Sequence, residues 1–411
     1  MGKWLAIIVA WGCVLCVKAQ PQQVFAPNIR TLQLVVDNNP LLPPMLDISK
    51  HQHLCISWDE MSHQYHRYIY HLQHCQHDWT PSDGIFESDY LNGLNDQPVE
   101  QYEKSFNTTQ TYTHYSLTLP NKETSMRLSG NYKLLVYEDG GSPEEPVLEA
   151  RFCIYENQVS IQSIASTDTD VDFNKNHQQL TLGIQYNGLN VIDPYEELHT
   201  VVLQNRRWDN RVEGLKPNIR KAHAIEFTHA APLIFKAGNE FHKFELIDVH
   251  RPAMGVDRIE WFDPFYHATL EAQRPPRSYQ YDEDQNGIRV IRSEDEDADV
   301  TAEYVLTHFI LETPRLPGGD IYVAGQWTNG ERDPECRMEY DEQSGCYEAV
   351  VLLKLGYYSY QFVQEDGATV RTMGDFYETE NEYATLVYYK GPGDRTDRLV
   401  GYARVYINKN K

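Results

Sequence analysis

The chain has 411 residues, with 36 Lys and Arg against 60 Asp and Glu, for a formal net charge of −24. Hydrophobic residues make up 41% and charged residues 23%, the balance of ordinary globular domains, and the length suggests two to four of them. So acidic a chain argues against binding nucleic acid or anionic lipid, since both need a basic face.

Lys3 opens a positive leader, residues 4–17 are almost all apolar, and Val17 and Ala19 place small residues at −3 and −1 before Gln20. This pattern predicts a secretory signal peptide over residues 1–19, cut between Ala19 and Gln20. The run is short for a bilayer span, which needs about 20 apolar residues. Cys13 and Cys16 raise a lipoprotein alternative, but the bulky Trp11 and Leu15 before them suit lipid transfer poorly. No later segment is long and apolar enough for direct membrane insertion.

From Asn28 onward the chain shows short alternating patterns rather than helical periodicity. Residues 31–36, 66–75, 112–119, 130–137 and 147–155 read as strands. Glu138-Asp-Gly-Gly141 and Pro120-Asn121 mark turns between them. This spacing predicts an Ig-like β-sandwich over residues 20–157. Histidines crowd residues 51–77: His51, His53, His63, His66, His71, His74 and His77, beside Cys55 and Cys75. His71, Cys75 and His77 share one strand face, but the spacing matches no zinc motif, so no metal site is expected.

A second set of strands, over residues 180–186, 198–203, 240–247 and 266–270, predicts a central β domain at 158–300. Asp282-Glu-Asp-Gln-Asn-Gly287 copies the first half of a calcium loop. The twelfth position is Ser293 rather than a bidentate Glu. Asn-Gly between apparent strands predicts a hairpin turn instead. The acidic stretch over residues 293–299 reads as a solvated linker. Beyond it, residues 304–311, 320–324, 346–353 and 357–363 predict a C-terminal β domain at 301–411. The expected fold class is therefore all-β: tandem Ig-like and early-set β-sandwich domains behind a signal peptide.

Five cysteines remain after cleavage, and an odd number cannot all pair internally. Cys336 and Cys346 flank a polar turn, and export favours a disulfide between them. The pairing of Cys55, Cys75 and Cys153 stays open. No nucleophile elbow, HExxH helix, P-loop or dinucleotide fingerprint is present, so no catalytic residue and no cofactor is expected.

Several strings then point to a family. They are Gln73-His-Cys-Gln-His-Asp-Trp-Thr-Pro-Ser-Asp83, Tyr90-Leu-Asn-Gly93, Tyr112-Thr-His-Tyr115 and Ser129-Gly-Asn-Tyr-Lys-Leu-Leu-Val-Tyr-Glu-Asp139. Val202-Leu-Gln-Asn205, Trp208-Asp-Asn210, Ala237-Gly-Asn-Glu-Phe241, Pro317-Gly-Gly-Asp-Ile-Tyr-Val323 and Tyr377-Glu-Thr-Glu-Asn-Glu-Tyr383 follow in order. Together they resemble the plug protein of the type IX secretion system of Bacteroidetes. The resemblance implies a periplasmic, non-catalytic protein, expected as a monomer, that binds a large outer-membrane β-barrel translocon. It implies that the protein seals the periplasmic opening of that barrel while no substrate occupies it. The Cys336 and Cys346 pair is not part of the family pattern.

A second reading comes from residues 320–329, 338–340, Tyr347 and 356–363. These resemble the glycogen-binding type of early-set sandwich, in which exposed aromatics stack on sugar rings. Trp327 is the candidate, and its exposure beside a coplanar aromatic decides between the readings. A periplasmic scaffold with no sealing role is a third.

Overall fold

The computed structural model describes residues 22–294, 297–328, 330, 332–364 and 373–409. The expected signal peptide and its expected cleavage point at Ala19 and Gln20 lie outside them. The protein is all-β, built as three β-sandwiches.

The first sandwich packs the sheet Ile29–Val36, Leu54–Glu60, Thr113–Leu119 and Gln101–Lys104 on a second sheet. The second sheet is centred on Tyr68–Cys75, Gly130–Glu138 and Leu148–Tyr155. Alternation sets its core. Leu54, Ile56 and Trp58 face inward opposite Leu119, Leu117 and Tyr115 on the neighbouring strand. Trp58 stacks on Tyr115 at 5.7 Å and meets Tyr68 of the other sheet edge-on at 5.9 Å. Such ring pairs add stability beyond the area they bury.

The central sandwich corrects the expected division of the chain. One sheet holds Ser160–Ser166, His177–Gln185, Ala224–Phe227 and Ile219–Lys221. The other pairs Leu198–Gln204 with Asn381–Tyr389, which in turn pairs with Arg398–Ile407. The last two strands of the chain thus complete the central domain, so no boundary falls at 300/301. All nine residues of Asn381–Tyr389 are buried. Tyr383, Val387 and Tyr389 fill the central core, while Ala384, Leu386 and Tyr388 press on the first sandwich. A strand covered on both faces has no polar face to mark its place.

The third sandwich is inserted between these parts. Among the described residues eight of its nine strands form one hydrogen-bonded path that includes His242–Leu246, Gly356–Gln364, Cys346–Lys354, Tyr304–Leu311 and Phe265–Leu270, and the ninth, Arg289–Ile291, branches from Gly356–Gln364. Phe244 and Phe309 stand several strands apart on that path, yet meet ring to edge at 5.6 Å, so the path folds over onto itself. Two strands read from sequence as central, His242–Leu246 and Phe265–Leu270, belong to this core.

Two further expectations change. The Asn286-Gly287 turn forms, with φ of 51° and 85°, but only Arg289–Ile291 follows it as a strand. It is a turn without the expected hairpin. In the stretch read as a linker, 293–299, residues 295 and 296 lie outside the described residues, and 298 and 299 belong to a one-turn helix, Ala298–Thr301, capped by the Asp297 side chain.

The Cys336–Cys346 disulfide is also absent, and both thiols are free. The hairpin register explains why. Asp341, not Cys336, lies opposite Cys346. At about 3.3 Å per residue, Cys336 is too far along the strand for a bond that needs Cα atoms within roughly 7 Å. Cys75 and Cys153 flank Asn131 on the two neighbouring strands of one sheet, two strand spacings or about 10 Å apart, and are free as well. Cys346 is partly exposed and Cys336 is buried. Alkylation of the native protein should therefore label Cys346 quickly and Cys336 only on unfolding. A linked peptide in unreduced digests would contradict this register.

Candidate functional site

The densest buried polar contacts lie where the sandwiches are joined. Asp59 lies on Leu54–Glu60, on the face opposite Leu54, Ile56 and Trp58. A free sandwich would give that face to water. Lys354 ends Cys346–Lys354, on the face opposite Ala349, Val351 and Leu353. Both side chains are fully buried, because the two outer faces cover each other. Lys354 Nζ lies 2.7 Å from Asp59 Oδ2 and donates to the Asp299 carbonyl at 2.6 Å. The Tyr304 hydroxyl donates to the same carboxylate at 2.6 Å, and His114 Nδ1 lies 2.7 Å from its other oxygen. The ammonium also sits 4.2 Å above the Tyr112 ring.

Burial opposes the charge on Asp59. The Lys354 ammonium and the hydrogen bonds from His114 and Lys354 outweigh it and hold the carboxyl below its usual range. Because the folded value is depressed, this stabilisation is present above the unfolded value of about 3.9 and is lost as pH falls through the folded one. Burial, reinforced by the Asp59 charge, keeps the Tyr304 phenol protonated far above its ordinary value, so it remains a donor. Around this centre Arg30 pairs with Glu335. Arg289 donates to the Leu32 carbonyl at 2.6 Å, and Glu303 accepts from the Gln110 amide at 3.1 Å.

The first and central sandwiches meet through an apolar patch containing Cys75, Trp79, Cys153, Leu203, Trp208 and Leu386. Trp79 and Trp208 meet edge-on at 5.1 Å. Trp79 has φ of 70°, a left-handed conformation that a bulky side chain adopts only when its surroundings hold it there. Tyr388 donates to Asn131 Oδ1 at 2.8 Å, and Ser82 and Thr396 hydroxyls lie 2.7 Å apart across the joint. Burial pushes the Cys75 thiol up to about 12, so it packs as a neutral group.

The central and third sandwiches share a joint around the calcium-like segment. The Asp284 carboxylate accepts from the amides of Phe241 and, at 2.7 Å, of Asn286. Tyr279 donates to Glu240. The Asp284 oxygens are therefore engaged in fixing the turn. Burial pushes both Asp284 and Glu240 up to about 7.

The residues singled out from sequence scatter. Trp327 is half-buried, its ring N–H donates to the Ser359 carbonyl at 3.0 Å, and it packs on buried Phe309. It offers no sugar-stacking platform. His71 pairs with Asp96 at 2.9 Å, His74 lies buried against Ser82, and His77 reaches Asp397. An open cleft of about 320 Å³ between the central and third sandwiches is lined by residues such as Asn205, Lys236, Gln361 and Asp375. Among the described residues its lining includes no Ser, Thr, Cys, Tyr or His. Exposed rings lie elsewhere. Tyr65 and Tyr102 sit 4.5 Å apart beside the exposed edge strand Gln101–Lys104. Phe106, Trp261 and Phe262 are exposed where the first and third sandwiches touch through Gln110 and the Pro264 carbonyl. No helix among the described residues is long and apolar enough to cross a membrane.

These buried joints define a multi-sandwich β protein. Residues 29–156 match the family model described as the type 9 secretion system plug protein 1st domain, and the chain belongs to the type IX secretion system plug family. It is also similar over most of its length to a solved structure, a hypothetical protein from Parabacteroides merdae. The two share 33% identity with a TM-score of 0.89, covering 94% of this chain and 99% of the other. No curated protein matches the chain.

Two predictions follow from the joints. Lys354→Met leaves Asp59 charged and buried without its counter-ion. It should cost about 3–5 kcal/mol in urea unfolding, and Asp59→Leu added to it should restore more than half. If the single variant unfolds at the wild-type midpoint, the joint is not closed in solution. The second concerns Asp284. Its folded value is raised, so the folded protein holds a proton that the unfolded chain loses between about pH 4 and 7. Stability from this group is therefore highest at low pH and falls as pH rises. Buried His242, held neutral down to about 4, acts in the opposite sense, so the comparison needs a variant. Relative to wild type, Asp284→Asn should gain in Tm from about pH 5 to about pH 8. A pH-independent difference would mean that Asp284 is ionised throughout.

Proposed function

We propose that the chain is a non-catalytic periplasmic plug. It docks, as a monomer, on the periplasmic opening of the outer-membrane β-barrel translocon of the type IX secretion system. It seals that opening while no substrate is bound. The observation that carries this reading is the match of residues 29–156 to the plug family's first domain. Sealing a wide pore asks for a body that keeps its shape and loses little entropy on docking. Three sandwiches joined through buried contacts supply such a body, and the exposed rings around Phe106, Trp261 and Phe262 add apolar contact area outside its cores. Docking would spread over many residues, so few single changes should abolish it.

The test is permeability. Deleting the gene should make cells sensitive to large antibiotics that the outer membrane normally excludes. Deleting the translocon as well should remove that sensitivity, since no pore then remains. A single deletion without leakage, or leakage that persists without the barrel, would overturn the plug reading.

A further inference from the structure

Where the first sandwich meets the central one, three side chains from separate elements converge. His77 sits in the loop after Tyr68–Cys75, which Trp79 N to Gln76 O at 3.0 Å and Gln76 N to Thr80 O at 2.8 Å close into a turn. His199 lies on Leu198–Gln204, on the same face as Val201 and Leu203, which press against the first sandwich. Asp397 immediately precedes Arg398–Ile407, and its amide donates to Gln76 Oε1 at 2.9 Å. One ligand atom from each of the three lies within 4.8 Å of the others.

The arrangement leaves bonding capacity unused. The two imidazoles are stacked at 4.1 Å with an interplanar angle of 1°. His77 Nδ1 lies 2.8 Å from Asp397 Oδ2, and the His77 amide donates to the same oxygen at 2.9 Å. The other oxygen, Asp397 Oδ1, is buried and has no hydrogen-bond partner among the described residues, although the residue is only 2% exposed. An unpaired oxygen on a buried carboxylate is costly.

We propose that His77, His199 and Asp397 bind one divalent transition-metal ion, with zinc as the best fit to this ligand class. Two imidazoles and a carboxylate suit zinc and its neighbours, whereas calcium and magnesium take oxygen ligands. The ion takes the place of the proton between His77 Nδ1 and Asp397; in a neutral ring that proton passes by way of solvent to Nε2, and in a protonated ring it is released to solvent. His199 supplies a nitrogen once its ring turns out of the stack, and the carboxylate gains a partner for Oδ1. Water completes the shell from the partly exposed His77 side. Because His77 belongs to the first sandwich and the other two to the central one, the bound ion staples the two together.

The test uses the purified chain stripped with a chelator and titrated with zinc in a calorimeter. The chain has 16 histidines, so the variants decide where any zinc binds. One ion per chain should bind, with a rise in Tm. His199→Gln should weaken binding by at least about tenfold and abolish the rise in Tm. Cobalt should give visible d–d absorption in the wild type that is lost in His199→Gln. The His199 ring is partly exposed, so this variant should keep the apo circular dichroism of the wild type. His77→Gln is the second variant, should His199→Gln fold poorly. Absence of binding, or binding that survives in either folded variant, would overturn the proposal.

Discussion

Asp59 and Lys354 can both sit fully buried only while the first and third sandwiches stay in contact. Charged groups at zero exposure are tolerable when each partner is matched and hydrogen-bonded, and here His114, Tyr304 and the Asp299 carbonyl complete the matching. Opening the joint would hydrate both charges but strip Tyr112 and Tyr304 of their cover. The same rule governs the central domain. Asn381–Tyr389 is covered by its own core on one face and by the first sandwich on the other, so neither domain is complete without its neighbour. The three sandwiches are therefore arranged as one body rather than as beads on linkers.

Much of this was legible in the sequence where alternation operates. Strands such as Gly130–Glu138, Thr113–Leu119 and Cys346–Lys354 announce themselves because one face is apolar and turns bracket them. The joints were not legible, because a residue such as Asp59 occupies a position that reads as solvent-facing until a second domain covers it. Asn381–Tyr389 carries the one available hint: its run of Tyr, Leu, Val and Tyr is that of a strand buried on both faces. Its partner Leu198–Gln204 lies far away in the chain, so local pattern could not assign it to the central sheet.

The site readings divide along the same line. Local turn chemistry at Asn286-Gly287 was readable, while the absence of its hairpin followed from Arg289–Ile291 pairing with Gly356–Gln364 instead. Cys336 and Cys346 looked suited to each other until the hairpin register placed Asp341 across from Cys346. The histidine-rich stretch showed candidate ligand types but no metal-binding spacing within itself. The structure instead sends His77 to Asp397, 320 residues away, and to His199. Trp327 resembled a sugar platform by sequence context, but its ring N–H is spent on the Ser359 carbonyl inside the fold.

The proposed plug role asks for a body without a hinge. Differential scanning calorimetry of the purified chain tests it most directly. The buried joints predict one cooperative transition whose calorimetric and van't Hoff enthalpies agree, as for a single folding unit. Resolved transitions for separate sandwiches, or a calorimetric enthalpy well above the van't Hoff value, would show domains that unfold independently and would contradict the account.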